Sequence, residues 1–343
     1  MKTLAPDRTA HRLPPEWRRW LAENLMLDLD REALVEALVA LGQDRADVER
    51  EAERIALTPT YQAGRWIAER LRKTESLLGV YADLARLTDP PGTVERRGHV
   101  GADEFLHTYY ARNRPVLLSG LARNWPAFSA WTPEFLLREC GDELVEVMTG
   151  READSRYEVN SEAHKELVRF ADYVATVTSA DSSNDCYLVA NNNFLDRPGV
   201  QHLHRQLRPL PGFLDPGQSA GCVFLWFGPA GTVTPLHHDT MNVVLVQILG
   251  RKRVTLVPSR QLPLVYNDLA VYAEADPEHP DLERHPLFAA AEPAQVTLEA
   301  GDALFIPVGW WHHVRSLDTS ISTSFTNFAF PNDFRWQHPS IQR

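Results

Sequence analysis

The sequence predicts a mainly β protein, a sandwich or barrel of many short strands, preceded by an α-helical region. Two observations predict this fold class. From Cys186 onward, short apolar runs alternate with Gly, Pro and Asp turns, which is typical of β-sandwiches, barrels and jelly rolls. Before residue 90, apolar residues recur at helical spacing. The 343 residues suffice for one large and one smaller domain. We therefore assign residues 1–90 to an N-terminal helical region and 91–343 to the β domain.

Three short helices are predicted in the N-terminal region. Asp30 is placed as the N-cap of the first, and Gly42 as its stop signal. The second runs through Val48 and ends near Pro59. The third carries an apolar series that consists of Trp66, Ile67, Leu71, Leu77, Leu78 and Tyr81. A scaffold or oligomer contact is the favoured role and an appended recognition module the alternative. Because the chain ends soon after its last predicted strand, we expect any homodimer to form through these N-terminal helices.

The β domain follows a predicted linker, Thr88–Gly92, whose prolines and glycine stop a helix. Next come a predicted buried strand at Pro115–Leu118 and a short helix at Pro133–Cys140. The strands predicted beyond them are Tyr187–Val189, Cys222–Phe227, Val243–Ile248, Val254–Val257, Val296–Leu298, Leu304–Ile306 and Ile321–Phe328.

Composition and charge argue against several partners. The net charge of −11 argues against a general nucleic-acid or anionic-membrane binder, because phosphate contacts need clustered Lys and Arg. The three cysteines are scattered and lack CxxC spacing, which indicates a reducing compartment. Residues 1–15 lack the apolar stretch of a secretory signal, and no segment reaches the roughly 18 apolar residues of a membrane helix. We predict a cytoplasmic protein without nucleic-acid or membrane partners.

A histidine pattern indicates the chemistry. The chain reads His-His-Asp at 237–239 and, much later, His-His at 312–313. Because side chains alternate along a strand, His237 and Asp239 point to one side and His238 to the other. Two imidazoles and one carboxylate with an open opposite face form the facial triad of non-haem Fe(II) sites. The third ligand is His312 or His313, and alternation alone does not choose between them.

Several segments, in order along residues 101–330, resemble the JmjC-domain, cupin-like 2-oxoglutarate oxygenases. They are Arg114–Leu117, Leu225–Thr232, Thr234–Asp239, Gly250–Arg253, Pro280–Phe288 and Gly301–His312. The resemblance is strongest to the hydroxylase branch, which includes the asparaginyl hydroxylase acting on hypoxia-inducible factor. It implies a double-stranded β-helix (jelly-roll/cupin) core in which Fe(II) is held by His237, Asp239 and His312.

The resemblance also implies 2-oxoglutarate and O2 as co-substrates, with release of succinate and CO2. Lys252 lies where this branch has the lysine that binds the distal carboxylate of 2-oxoglutarate. A buried ammonium needs such an anion to offset its desolvation. Without the resemblance, we would expect Lys252 to be exposed to solvent. Further co-substrate contacts are matched by Thr234, Tyr187 and Asn327. Asn242 stands one residue before the asparagine position of this branch, so its role does not carry over.

The substrate remains open at this stage. Hydroxylation of a protein or peptide side chain is the first hypothesis, and hydroxylation of a small molecule is the second. Lysine demethylation is less favoured, because no chromatin-reader sequence is present. A non-catalytic cupin-like binding protein is the alternative of another class, and the triad together with Lys252 argues against it. A cupin-type isomerase or decarboxylase would usually supply His-x-His and a Glu. Trp310 and Trp311 are expected to pack near the metal, and Trp226 either packs there or faces the substrate.

Overall fold

A computed structural model describes residues 13–189, 193–208, 210, 212–267 and 270–334. The chain divides into two compact units, residues 1–81 and 82–343. This division falls inside one continuous helix, so the domain boundary at residue 90 stays a prediction. Residues 1–12, which contain most of the segment inspected for a secretory signal, lie outside the described residues. In the described part of the chain, no helix combines the length and apolarity needed to cross a membrane.

Four helices precede the β domain, where three short ones were predicted, and the fourth is 28 residues long. Asp30 caps the second helix by accepting a hydrogen bond from the Ala33 N–H, and Gly42 follows that helix with a φ of +85°. The α-helices of the described chain are α1 (Pro15–Met26), α2 (Arg31–Ala40), α3 (Arg45–Ala56), α4 (Pro59–Arg86), α5 (Ala102–Glu104), α6 (Pro126–Ala130), α7 (Pro133–Cys140), α8 (Ser161–His164) and α9 (Phe170–Ser179).

The first unit has its own small core. Helices α1, α2 and α3 each turn an apolar stripe inward, and Leu21, Leu38 and Val48 are fully buried between them. The start of α4 joins this core, because Tyr61 is buried and its hydroxyl donates to the Leu25 carbonyl at 3.2 Å.

The second unit contains the strands, which form two main sheets and a small ribbon. Their bounds are β1 (Glu95–Arg97), β2 (Val116–Leu118), β3 (Leu144–Met148), β4 (Lys165–Arg169), β5 (Val223–Gly228), β6 (Val233–His238), β7 (Val243–Leu249), β8 (Lys252–Val257), β9 (Ala294–Leu298), β10 (Ala303–Ile306), β11 (Trp311–Ser316) and β12 (Ser320–Phe325). One sheet has the order β1-β2-β10-β7-β12-β5, the second β6-β11-β8-β9, and the ribbon pairs β3 with β4. The predicted strand at Tyr187–Val189 makes only isolated bridges, to Met148 and Phe227.

A shared apolar core joins the two main sheets. Leu245 and Leu304 come from the six-stranded sheet, Leu256 comes from the four-stranded sheet, and all three belong to one buried cluster. Because side chains of a strand alternate between faces, each sheet can give one face to this cluster and the other to the outer layer. The predicted jelly-roll core is confirmed.

Candidate metal centre

Strands β6 and β11 bring the three predicted metal ligands together. His237 and His312 are register partners across this antiparallel pair, and their ring centroids lie 4.0 Å apart. Asp239 directly follows β6, and its Oδ2 lies 3.6 Å from the His312 Nε2. Each residue offers one ligand atom, and those atoms all lie within 4.8 Å of one another. The arrangement could hold one metal ion by two imidazoles and a carboxylate.

Backbone carbonyls orient both imidazoles. The His237 Nδ1 lies 2.8 Å from the Pro235 carbonyl, and the His312 Nδ1 lies 3.0 Å from the Trp310 carbonyl. A carbonyl oxygen only accepts, so each Nδ1 carries the hydrogen and each Nε2 keeps a free lone pair. That is the tautomer a metal ligand needs, with the ring fixed by its second nitrogen.

Burial disfavours charge at this site when it holds no cation. Burial, together with the charge of the neighbouring His237, holds the pKa of His312 well below its usual value. Burial also raises the pKa of the Asp239 carboxyl, although the adjacent His237 and His238 counteract part of that rise. Asp239 still opens into a cavity of about 1030 Å³. A divalent cation bound there would offset the desolvation of the carboxylate.

The second histidine of each pair points elsewhere. His238 is 3% exposed and meets the ring of Trp311 edge-on, with centroids 4.7 Å apart. His313 is also buried, and its Nε2 lies 3.9 Å from Glu278 on the other face of β11. Of the two, His312 is the one that lies beside His237 and Asp239, and this placement favours it as the third ligand.

A β-bulge places Thr234 in the same cavity. Regular alternation would put Thr234 and His237, three residues apart, on opposite faces. The register between β6 and β11 shifts by one residue, because His312 pairs with His237 while Val314 pairs with Thr234. The extra residue lies in the segment between Thr234 and His237, which contains Pro235. Proline is tolerated within sheets at such bulges. Thr234 consequently lines the cavity together with the triad.

Lys252 and Tyr187 meet at the inner end of this cavity. The Lys252 side chain is fully buried, and its Nζ donates to the Tyr187 hydroxyl at 3.0 Å. No carboxylate of the described residues pairs with this ammonium, and burial lowers the pKa of Lys252 to about 7. Trp226 also approaches, with its ring centroid 5.8 Å from Nζ. A buried cation without a protein anion is the observation that an anionic ligand would explain.

The spacing between Lys252 and the triad suits a short dicarboxylate. Leu256 is the β8 partner of His312, and Lys252 is the β8 partner of Ser316. These two levels are four residues apart, which is about 13 Å along a strand. An extended lysine side chain and a five-carbon diacid can together span that distance.

Of the remaining predicted residues, Asn327 and Trp226 line other parts of the cavity. Asn327 is 8% exposed, and its amide donates to the Asp215 carbonyl at 2.8 Å. Trp226 lines the wall and donates its indole N–H to Ser324 at 2.9 Å, whereas Trp310 and Trp311 pack outside this cavity. Asn242 is not among the cavity residues, and its Oδ1 accepts from the Val308 N–H.

Sequence reasoning missed one wall of the cavity. Tyr272 forms an isolated bridge with His237, and the two ring centroids lie 5.9 Å apart. Glu158 lines the same wall and pairs with the buried Arg151 at 3.1 Å. The Arg151 side chain also donates to the Val233 carbonyl at the start of β6. The segment around Arg151 contains no recognisable motif, so only the folded chain reveals its position beside β6.

Comparison with known proteins identifies the family. The family described as a cupin-like domain matches residues 102–333. The chain is 31% identical over 230 residues to Lysine-specific demethylase 8 of Xenopus tropicalis, covering 65% of this chain and 50% of that protein. It is 31% identical over 238 residues to Lysine-specific demethylase JMJ30 of Arabidopsis thaliana, covering 68% and 54%. It is 29% identical over 234 residues to tRNA wybutosine-synthesizing protein 5 of Gallus gallus, covering 65% and 73%.

The fold is a jelly roll, and its candidate centre is a group of two histidines and one aspartate that could hold one metal ion. The chain belongs to the cupin-like JmjC family, whose members are Fe(II)- and 2-oxoglutarate-dependent oxygenases. It spans about half the length of the two demethylases that it matches. The finer resemblance to the asparaginyl hydroxylase stays a prediction.

Proposed function

We propose that this protein is an Fe(II)- and 2-oxoglutarate-dependent dioxygenase that hydroxylates a protein or peptide side chain, releasing succinate and CO2. The observation that carries this proposal is Lys252: its buried ammonium lies in the cavity that also holds the triad, and none of the described carboxylates pairs with it. An iron site alone would not require such a cation. An iron site that takes a dicarboxylate co-substrate would.

Each residue has a defined part in this proposal. His237, Asp239 and His312 would hold Fe(II) on one face and leave the opposite face open to the cavity. Bound iron, with 2-oxoglutarate and O2, would supply the oxidising power. Lys252 would pair with the distal carboxylate. The Tyr187 oxygen accepts from Lys252, so its own hydrogen can be donated to the same carboxylate.

Two further residues complete the proposed co-substrate site. The Thr234 hydroxyl is brought to the cavity by the bulge in β6 and would be a further donor to the carboxylate. Asn327 lies on the cavity wall beside Asp215, and we retain it as a co-substrate contact. The apolar wall at Trp226 would exclude water from the reacting atoms.

The cavity offers support for a substrate that is not a polyanion. Its volume of about 1030 Å³ is at the upper end of the roughly 300–1000 Å³ of small-ligand sites, which leaves room beyond a co-substrate. Among the described lining residues, Asp215 and Asp333 add carboxylates, Glu158 pairs with Arg151, and Lys252 is the buried cation. Carboxylates that line a cavity repel phosphates and favour neutral or cationic groups. A small-molecule substrate remains the alternative.

The names of the relatives suggest a second candidate function. Two of the matched proteins are named lysine-specific demethylases. Hydroxylation of an N-methyl carbon would be the same C–H chemistry directed at a cationic side chain, and the carboxylates of the cavity suit such a group. Another relative is named for tRNA wybutosine synthesis, so the absence of a nucleic-acid partner stays a prediction, as does the cytoplasmic location.

The experiment is a succinate-formation assay with Fe(II), 2-oxoglutarate and pools of peptides, methylated peptides and metabolites. We expect succinate to form in stoichiometric proportion to a product gaining one oxygen, or losing a methyl group. His237→Ala should abolish both signals. His279→Ala, at an exposed histidine outside the cavity, is the matched control and should change neither. Iron-loaded protein that binds no 2-oxoglutarate would refute the proposal and favour a non-catalytic binding protein.

A further inference from the structure

One face of α4 carries a row of mostly large apolar side chains around Thr74, which we call the α4 stripe: Ile67, Leu71, Thr74, Leu77, the half-buried Leu78 and Tyr81. Ile67, Leu71, Leu77 and Tyr81 are 57–62% exposed. Tyr61, on the opposite side of the helix start, is buried, and Gly64, one heptad before Leu71, lies against the Met26 side chain, so the exposed row begins after Gly64. Charged residues would normally occupy an outer helix face, so an apolar stripe of this size marks an interaction surface.

The stripe has the spacing of a two-helix seam. Ile67, Leu71, Thr74, Leu78 and Tyr81 follow one another at intervals of four, three, four and three residues. That is the heptad spacing at which two helices interlock side by side. If α4 only packed on the core of its own unit, this row would be buried there, as Leu21 and Leu38 are. The row is exposed instead.

Four residues of the stripe are also arranged symmetrically about Thr74, whereas Leu78 has Arg70 as its counterpart. Ile67 and Tyr81 each lie seven residues from Thr74, and Leu71 and Leu77 each lie three residues from it. Two antiparallel copies of α4 with a two-fold axis at Thr74 would therefore place Ile67 opposite Tyr81 and Leu71 opposite Leu77, twice over. A two-fold interface requires such self-complementarity, whereas an unrelated partner does not.

The exposed area is sufficient for association. Trp66, at the margin of the stripe, is 58% exposed, as is Leu71. A large side chain offers about 150–250 Å² in all, so the five most exposed residues of this face each contribute on the order of 100 Å². Two copies that covered all of this exposed area would bury about 1000 Å², which is the lower limit for a biological interface.

We propose that the α4 stripe is the contact of a homodimer in which two α4 helices pair antiparallel about Thr74. The test is analytical ultracentrifugation of the full chain over a wide concentration range. Wild type should sediment as a dimer, and Leu77→Asp should raise the dimer dissociation constant at least about 30-fold. Leu282→Asp, at an exposed leucine outside α4, should leave it unchanged. A wild-type protein that stays monomeric at all concentrations would overturn the proposal. That result would also be expected if residues 1–12 or another protein covered the stripe.

Cross-linking tests the orientation. Thr74→Cys should give an intermolecular disulfide under mild oxidation, because the two substituted residues meet at the axis. Ile67→Cys alone should not, because its copy lies fourteen residues along the helix, about 21 Å away. Wild type controls for Cys186 and Cys222, which are partly exposed. Efficient cross-linking of Ile67→Cys alone would show a parallel pair and contradict the antiparallel arrangement.

Discussion

His237 and His312 face each other across β6 and β11, and each ring is held by a hydrogen bond from Nδ1 to the carbonyl two residues before it. The two Nε2 atoms are thereby presented to the cavity side of the sheet before any metal binds. Preorganisation of this kind reduces the reorganisation that metal binding must impose on its ligands.

The first prediction concerns metal binding. His312→Ala should lower Fe(II) or Mn(II) affinity at least about 100-fold, because it removes one of three ligands. His238→Phe should retain the metal, since its ring packs against Trp311 rather than beside Asp239. Metal content after dialysis, measured by atomic emission, distinguishes the two variants. Equal metal loss from both would show that the histidines have been assigned wrongly.

The second prediction concerns Lys252. Lys252→Met should weaken 2-oxoglutarate binding by about 10–100-fold, the usual range for loss of a charge-assisted contact. The same variant should raise the thermal stability of the ligand-free protein, by about 1 kcal/mol or more, because it replaces an uncompensated buried charge with an apolar side chain of similar length. Arg251→Met is the matched control at an exposed cation. Anaerobic calorimetry and thermal unfolding give the two readouts, and a stability loss without an affinity change would contradict the assignment.

The third prediction is a pH dependence. Burial lowers the pKa of Lys252 from 10.5 to about 7 in the ligand-free protein. The unfolded chain then binds more protons than the folded chain between pH 7 and about 10, so stability should rise with pH across that window. Below pH 7 the destabilisation caused by burying the charged Lys252 side chain is fully present. Unfolding free energies of wild type and Lys252→Met, measured at pH 7 and pH 9.5, should converge as pH rises. A constant difference would exclude titration of Lys252 as the cause.

The fourth prediction concerns the wall formed by Arg151 and Glu158. The Arg151 side chain is fully buried and holds both Glu158 and the Val233 carbonyl. Arg151→Met should lower the free energy of unfolding by about 1–3 kcal/mol, because it removes the ion-pair partner of Glu158, a half-buried carboxylate that lines the cavity. Adding Glu158→Gln should recover part of that loss. Chemical denaturation of the two variants checks this, and an additive loss in the double variant would argue against coupling between the two residues.

Much of the fold could be predicted from local sequence patterns. The caps at Asp30 and Gly42, the helix at Pro133–Cys140 and most of the short strands are confirmed within a few residues. The spacing of apolar residues and the positions of Gly and Pro predict these helices and strands, because caps, helices and short strands depend on residues that are near in sequence. The length of α4 was underestimated, and Tyr187 lies in isolated bridges rather than in a strand, because both depend on contacts that are remote in sequence.

The sequence by itself determined the ligand types, the faces of His237 and His238, and the presence of a lysine at the start of β8. Those properties follow from composition and from strand alternation. Tertiary structure decided the rest. It selected His312 over His313 through the register with His237, and it turned Thr234 inward by a bulge that breaks alternation. It also buried Lys252 beside Tyr187, where no carboxylate of the described chain pairs with it. Register and burial arise from pairing between distant segments, and a local pattern gives the faces of a strand without specifying which distant strand it pairs with.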